Sequence, residues 1–168
     1  MRQKVFKVNP LSIDSIKECQ KQIEQYKIDL QYKVNLFTQR LAEVGVGIAQ
    51  ANAVSLDAFW SGNLVASINL KQGDVIQHGS RWIVYTDCPY AKYVEFGTGI
   101  VGEEFPHALA SEMGWTYDVN GHGDNGWYYY KDGRFYWTKG VEARPFMYET
   151  SIELGMRISK VAREVFGH

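Results

Sequence analysis

The ten residues YAKYVEFGTG, from Tyr90 to Gly99, place one carboxylate among aromatic side chains and two glycines shortly after it. The apolar residues up to Phe96 are spaced by three, one and two, which suits one or two helical turns better than a strand. Gly97 lies where a helix-ending residue with positive φ is wanted. A carboxylate such as Glu95 is costly to bury alone, so it needs a partner. The stretch therefore predicts a helical corner held by Glu95.

Two chemical interpretations of this stretch are less well supported. A phosphate-binding loop needs a strand before it, a helix opening after it and usually a lysine, whereas Gly99 is followed by the acidic run IVGEEFP. A catalytic acid at Glu95 lacks a second carboxylate or a histidine at any recognisable spacing. We therefore expect a structural corner, with no cofactor and no small-molecule substrate.

N-terminal to the corner, the clearest period predicts one long amphipathic helix over residues 11–44. Its apolar residues recur every seven positions, at Ile16, Ile23, Leu30, Phe37 and Val44. Pro10 before it and Gly45 and Gly47 after it are plausible start and stop signals. The stripe covers a sheet of the same chain or pairs with a partner helix. We favour the sheet, because Lys33 and Arg40 interrupt a second coiled-coil stripe.

The region between this helix and the corner predicts a change from helix to strands. Ala49 to Phe59 reads as a second, shorter helix, and Leu64 to Leu70 alternates like a strand with one buried face. Val75 to His78 and Trp82 to Thr86 flank Gly79-Ser80 and predict a tight hairpin. Strands and corner together occupy residues 63–99.

A loop and hairpin insertion is predicted over residues 100–140. Trp127 to Tyr130 and Phe135 to Thr138 flank Asp132-Gly133, a strong two-residue turn signal, and cross-strand pairing explains their aromatic residues. Base stacking is the alternative, although the nearby basic residues are too few for a nucleic-acid groove. The insertion also carries acidic residues and histidines without metal-ligand spacing, which we interpret as solvated loop residues: Glu103, Glu104, His107, Asp118, His122 and Asp124.

A C-terminal helix is predicted over residues 145–166. Pro145 suits the start of a helix, Gly167 its end, and a second amphipathic stripe lies between them. The resulting fold class is α+β, with the long N-terminal helix and the C-terminal helix packed on one face of an antiparallel sheet.

Composition predicts one domain over residues 1–168. That length buries a core without metal or disulfide, and the net charge of -1 gives no global attraction to nucleic acid or membrane. Cys19 and Cys88 lack metal-ligand spacing and are expected to be reduced, and no apolar run approaches the ~20 residues that span a bilayer.

Three stretches, taken together and in order, carry a resemblance to a known family: SGNLVASI at 61–68, YAKYVEFGTG at 90–99 and TKGVEARPFMYET at 138–150. They resemble the tail-component family of long-tailed double-stranded DNA bacteriophages, minor tail proteins of head-tail joining and tail completion. The resemblance covers most of residues 61–150 and the helix-first layout. The long insertion after Gly99 departs from it, so no function is carried onto His107 or His122.

The resemblance implies a structural protein of the phage or prophage neck, without catalytic or metal-binding residues. It implies assembly in the host bacterial cytoplasm and localisation in the virion, at the tail or neck. The implied partners are other copies in a ring, with a hexamer as one option, together with head-closure or connector and tail-tube or terminator proteins, and no membrane. Six-fold or twelve-fold neck symmetry calls for a closed head-to-tail ring, and a monomer that assembles only on the connector is equally compatible. The signature residues are Tyr90, Ala91, Glu95, Gly97, Thr98, Gly99, Arg144, Pro145 and Phe146.

The signature residues also suggest a contact. We predict that Glu95 pairs with Arg144, or with backbone amides of the Gly97 turn, and so holds the corner against the start of the last helix. Phe146 is then expected to pack against Tyr93, Val94 or Phe96.

Two other function classes stay open at this point. A cysteine hydrolase using Cys88 with His78 or His107 has the residue types without a recognisable nucleophile context. A nucleic-acid-binding module, or another interaction module, would use the aromatic hairpin or a basic face of the first helix. The lysines of that face lie among carboxylates, as on an ordinary solvated helix: Lys17, Lys21, Lys27 and Lys33.

Overall fold

A computed structural model describes residues 4–58, 62–74, 79–118, 121 and 125–167 of the chain. Its longest element is helix α1, Ile13–Ser55, which begins at the N-cap Ser12, whose side chain accepts a hydrogen bond from the Ser15 amide. At 1.5 Å per residue, its 43 residues extend for about 64 Å. The chain leaves the helix at Asp57, which has a positive φ of 51°.

The predicted end of the long helix at residue 44 is wrong, and so is the separate helix from Ala49. Residues 13–44 and 49–55 of the two predicted segments belong to one continuous helix, α1. Glycine disfavours a helix interior by only about 1 kcal/mol, so Gly45 alone does not stop it. A Cβ at Gly45 would lie 3.1 Å from Val84 and 3.3 Å from Leu154, so this glycine permits close packing instead. The end of the predicted second helix, Phe59, lies outside the described residues.

After α1 the chain forms helix α2, Asn63–Ser67, and then strand β1, Asn69–Gln72. The predicted strand over Leu64 to Leu70 is therefore wrong in its first half. Leu64 and Ile68 are four residues apart and both are buried, so the apparent alternation also fits one helical turn.

Strand β2, Trp82–Tyr85, pairs antiparallel with β1 in the register Asn69 opposite Tyr85. The strand predicted here is confirmed, with β1 as its partner. The other arm of the predicted hairpin, Val75 to His78, lies outside the described residues.

The corner forms two short helices, α3 over Ala91–Phe96 and α4 over Gly99–Glu104. The helical corner is confirmed, and α4 lies within what was predicted as a loop. The hairpin is also confirmed: strand β3, Trp127–Lys131, pairs antiparallel with strand β4, Arg134–Thr138. Its turn residues Asp132 and Gly133 both have positive φ, as a tight two-residue hairpin turn requires.

A short strand β5, Gly140–Val141, leads to the last helix, α5, which covers Phe146–Phe166 and so confirms the C-terminal prediction. Asn52 donates to the Thr150 hydroxyl at one end of α5, and the Phe37 and Phe166 rings lie 5.8 Å apart at the other. Helix α5 is therefore antiparallel to α1 and reaches along it only as far as Phe37.

The α+β class is confirmed, and in the described residues the longer strands form two separate two-stranded antiparallel sheets where one sheet was predicted. The core lies where α1 meets α2, α3 and α5. Its buried residues are Ala49, Ala53, Ala58, Leu64, Ile68, Ala91 and Phe146. Among the helices of the described part, none has both the length and the apolar composition of a membrane span.

Candidate functional site

The corner brings α3 against the segment that precedes α5. Helix α3 ends at Gly97, whose φ is 79°, and a Cβ there would lie 2.8 Å from both the Ala143 nitrogen and the Val141 oxygen. Thr98 and Gly99 form antiparallel bridges with Val141 and Gly140. The prediction of a glycine with positive φ is confirmed, and the close approach of two backbones explains why no other residue fits.

Glu95 is 8% exposed and binds the start of α5. Its Oε2 accepts from the Met147 amide at 2.9 Å, and its Oε1 accepts from the Tyr148 amide at 2.9 Å. These amides belong to the first turn of α5, where backbone donors have no partner within the helix. Pro145 at the N-cap offers no side-chain acceptor, so a carboxylate from α3 takes that place.

His107 completes this cluster, and its hydrogen bonds define its tautomer. The side chain is 2% exposed; Nδ1 accepts from the Leu109 amide at 3.0 Å, and Nε2 lies 3.3 Å from the Glu95 Oε1. Because Nδ1 accepts, the proton of the neutral ring is on Nε2, which donates to Glu95. The rings of Phe96 and Tyr148 lie 4.5 Å and 5.3 Å from the imidazole. We call Glu95, His107 and the amides of Met147 and Tyr148 the Glu95 junction.

The electrostatics of the Glu95 junction combine opposing effects. Burial raises the pKa of the Glu95 carboxyl above its ordinary value. The amides of Met147 and Tyr148, and then His107, favour the carboxylate and oppose the rise. The positive end of the α5 dipole acts in the same direction as these donors.

The predicted pairing of Glu95 with Arg144 is wrong. The Arg144 Nη1 donates to the Asp57 carbonyl and lies 3.9 Å from the Asp57 carboxylate, and Nε lies 4.0 Å from the Glu142 carboxylate. Arg144 still holds the corner, through its amide, which donates to the Val94 carbonyl at 2.9 Å. The predicted link between the corner and the last helix does exist. Glu95 makes it by accepting from amides of α5, and not from amides of the Gly97 turn.

The remaining signature residues lie in the core or beside a cavity next to it. Ala91 and Phe146 lie in the buried core, with Val94 packed against the same cluster. Tyr90 precedes α3 and lines a cavity of about 490 Å³ together with Arg144. The structure thus brings Ala91, Glu95, Gly97, Arg144 and Phe146 into one region.

His107 is the contact that sequence reasoning missed. The interpretation of the insertion's charged residues and histidines as solvated loop residues is wrong for His107, which is buried. Glu103, Glu104 and Asp118 are exposed as expected, although the first two lie in α4 and not in a loop. The available signal for His107 was its setting, Pro-His-Ala-Leu-Ala, which is more apolar than the rest of the insertion. His122 and Asp124 lie outside the described residues. The described part of the chain has no group of three or more metal-ligating side chains.

The residues named for a cysteine hydrolase meet along one cavity of about 530 Å³, lined by Cys88, Glu95 and His107 among others. The geometry does not suit a base for the Cys88 thiol. His107 uses Nδ1 to accept from Leu109 and Nε2 to donate to Glu95, so no ring nitrogen lone pair is left to accept a thiol proton. His78, the other histidine proposed, lies outside the described residues.

Two of the exposed apolar surfaces in the described part of the chain lie on different elements. The first is on the N-terminal arm, which we define as residues 13–32 of α1. Helix α5 ends beside Phe37, so the arm extends beyond it. Its exposed apolar residues are Ile13, Ile16, Ile23, Ile28 and Tyr32. The Tyr26 ring contacts the segment before α1: the Phe6 ring lies 5.8 Å away and the Lys4 Nζ lies 5.2 Å from its centroid.

The second surface is one face of the β3–β4 ribbon. Tyr128 pairs with Trp137 and Tyr130 with Phe135, with ring centroids 4.8 Å and 5.2 Å apart, which confirms the predicted cross-strand pairing. Each of these four side chains is at least half exposed, between 50% and 72%. We call them the aromatic face. The alternate residues Trp127 and Tyr129 line the 490 Å³ cavity on the opposite face.

Comparisons with protein-family models, with curated proteins and with solved structures found no match to this chain.

Proposed function

We propose that this chain is a structural protein of the head-tail joining region of a long-tailed bacteriophage or prophage. It acts in tail completion or neck assembly, without catalysis, through contacts with other copies in a ring and with head-closure or connector proteins and tail-tube or terminator proteins. Its place of action is the virion, after assembly in the host bacterial cytoplasm.

The observation that carries this proposal is the meeting of the three resemblance stretches. Leu64 and Ile68 of the first stretch share the buried core with Ala91 of the second and Phe146 of the third. The second and third are also joined by the Glu95 junction and by the bridges of Thr98 and Gly99. Stretches that act together as a packing unit, with the Glu95 oxygens both bonded to helix amides, fit the signature of a fold better than that of a catalytic site.

The exposed surfaces give a second support. An assembly subunit needs apolar surfaces that are covered only in the complex, and contiguous exposed patches of several hundred Å² mark interaction sites. We assign this role to the aromatic face and to the exposed apolar residues of the N-terminal arm, which lie on different elements. Two different surfaces on one chain suit the head-to-tail contacts of a ring.

Deletion of the encoding gene from the phage or prophage that carries it tests the proposal. We expect lysates in which electron microscopy shows heads and tails that are not joined, and a plasmid copy of the gene should restore complete particles. Complete, infectious particles from the deletion mutant would contradict the proposed function.

The aromatic face favours one alternative function, that of an interaction module that stacks nucleic-acid bases. Exposed rings beside Lys131 and Arg134 have the residue types of a stacking platform. Retention of purified protein on single-stranded DNA that weakens steeply with salt would favour this alternative. The structural proposal predicts no such retention at low ionic strength.

A further inference from the structure

The N-terminal arm and the aromatic face are too far apart to cover each other within one chain. The cavity behind the ribbon is lined by Ala58, three residues after α1 ends, so the ribbon begins near the C-terminal end of α1. Tyr32, the nearest arm residue, lies about 35 Å from that end at 1.5 Å per residue. A five-residue ribbon is only about 17 Å long. The two surfaces therefore lie toward opposite ends of α1.

The arm continues a surface that the chain already uses for packing. Phe37, which contacts Phe166 of α5, is the next member of the seven-residue series Ile16, Ile23 and Leu30. The face of α1 that packs on α5 thus runs on into the arm, where Ile23 is 48% exposed. A continuous apolar stripe that is half covered within the chain indicates that another surface covers the remainder.

We propose that the arm of one copy packs against the aromatic face of the next copy. This inference rests on the proposed function, because it names the contact that builds the ring. Arm and aromatic face are different surfaces, so the contact is heterologous: each copy offers its arm in one direction and its ribbon in the other, and a closing rotation gives a ring.

Size and charge agree with this contact. At roughly 200 Å² per ring and the exposures given above, the aromatic face offers about 500 Å² of the roughly 800 Å² per partner that a specific contact buries. The arm has three lysines and four carboxylates, a net charge of -1, and the ribbon has Lys131, Asp132 and Arg134, a net charge of +1. Small charges of opposite sign do not oppose association.

Paired variants in purified protein test the contact. Ile23→Glu alters the arm and Phe135→Glu alters the aromatic face, whose Phe135 is 72% exposed. Met156→Glu, at a residue 71% exposed on α5, is the matched control outside both surfaces. In sedimentation velocity over a concentration series, we expect the wild type and the control to form species larger than dimers. Each of the other variants alone should self-associate at least tenfold more weakly.

The decisive sample is an equal mixture of Ile23→Glu and Phe135→Glu. The first variant keeps an intact aromatic face and the second an intact arm, so one native contact forms between them. A one-to-one heterodimer that does not grow further is expected. Pairing of arm with arm predicts instead that Phe135→Glu self-associates like the wild type and ignores Ile23→Glu. That result, or a wild type that stays monomeric at its highest soluble concentration, overturns the proposal.

Two further checks separate a lost contact from an unfolded variant, and the proposed contact from the proposed function. If circular dichroism shows that either variant is unfolded, Ile16→Glu and Tyr130→Glu provide replacements on the same surfaces. Failure of the mixture leaves the gene-deletion result untouched. Conversely, a heterodimer together with complete particles from the deletion mutant establishes the contact and rejects the phage function.

Discussion

The two ends of α1 differ in how much the rest of the chain covers them. Near its C-terminal end, Ala49 and Ala53 are fully buried beneath α2, α3 and α5. Along the N-terminal arm, by contrast, Ile13 is 71% exposed and Tyr32 67% exposed. One helix thus serves as a core element at one end and as an uncovered surface at the other. Substitutions at the covered end should change folding stability, whereas those on the arm should change association.

The largest effect is expected at the Glu95 junction. Glu95→Ala removes the acceptor of two α5 amides and leaves the buried Nε2–H of His107 without a partner. We expect the free energy of unfolding to fall by about 2–4 kcal/mol, measured by urea denaturation.

Glu142→Ala is the control for this substitution. The Glu142 side chain is 55% exposed and lies 4.0 Å from Arg144 in the same region, so its loss should change the unfolding free energy by less than about 0.5 kcal/mol. If both variants lose the same amount, the Glu95 junction does not hold the start of α5.

The corner shows how far the sequence alone predicts this region. Spacing around Tyr93 and the glycine at 97 identified the helical turn and its end, because both are local features. The choice of partner for Glu95 is not local. Arg144 is the fork donor that the last motif offers, next to Pro145, yet the donors that bind Glu95 are backbone amides of α5. Sequence patterns do not show which amides of a helix are left without a partner. The apolar setting of His107 signals its burial, but its contact with Glu95 joins two side chains that only the fold brings together.

The interpretation of α1 failed on a different point. Gly45 and Gly47 look alike in sequence, and both read as stop signals. Only the fold distinguishes them, since a Cβ at Gly45 would meet Val84 and Leu154, whereas one at Gly47 would meet nothing within 4 Å. In contrast, the β3–β4 hairpin followed directly from Asp132-Gly133 and its flanking aromatic residues, because turn chemistry and cross-strand pairing act over a few residues.

A pair of glycine substitutions tests how tightly the covered side of α1 is packed. Gly47→Ala should raise the unfolding free energy by about 0.5–1 kcal/mol, since alanine suits an open helix position better than glycine. Gly45→Ala should lower it by about 1 kcal/mol, because the added methyl group is 3.1 Å from Val84 and crowds α1 against β2 and α5. Thermal and urea unfolding of both variants check the opposite signs. Equal stabilisation by the two alanines would mean that this part of α1 packs more loosely than the structure shows.

The smallest expected effect is a pH dependence at the covered end. Glu95→Gln keeps the size of the side chain and removes its ionisation. Burial raises the pKa of Glu95 in the folded protein above its ordinary value of 4.5, so between the two values the folded state binds more protons than the unfolded state. The contribution of the Glu95 carboxyl to the free energy of unfolding is therefore fully present below its ordinary pKa. This contribution is lost as the pH rises through the pKa of Glu95 in the folded protein.

The difference in unfolding free energy between wild type and Glu95→Gln isolates this contribution, since all other titrating groups are common to both. Urea denaturation from about pH 4 to about pH 8 should show a wild-type advantage that is largest at the acidic end. An advantage that grows with pH would mean that the three donors of the Glu95 junction outweigh burial and hold the carboxylate charged. In either case the pH dependence arises at the Glu95 junction, away from the arm. The unfolding free energy of Ile23→Glu should therefore show the same pH dependence as that of the wild type.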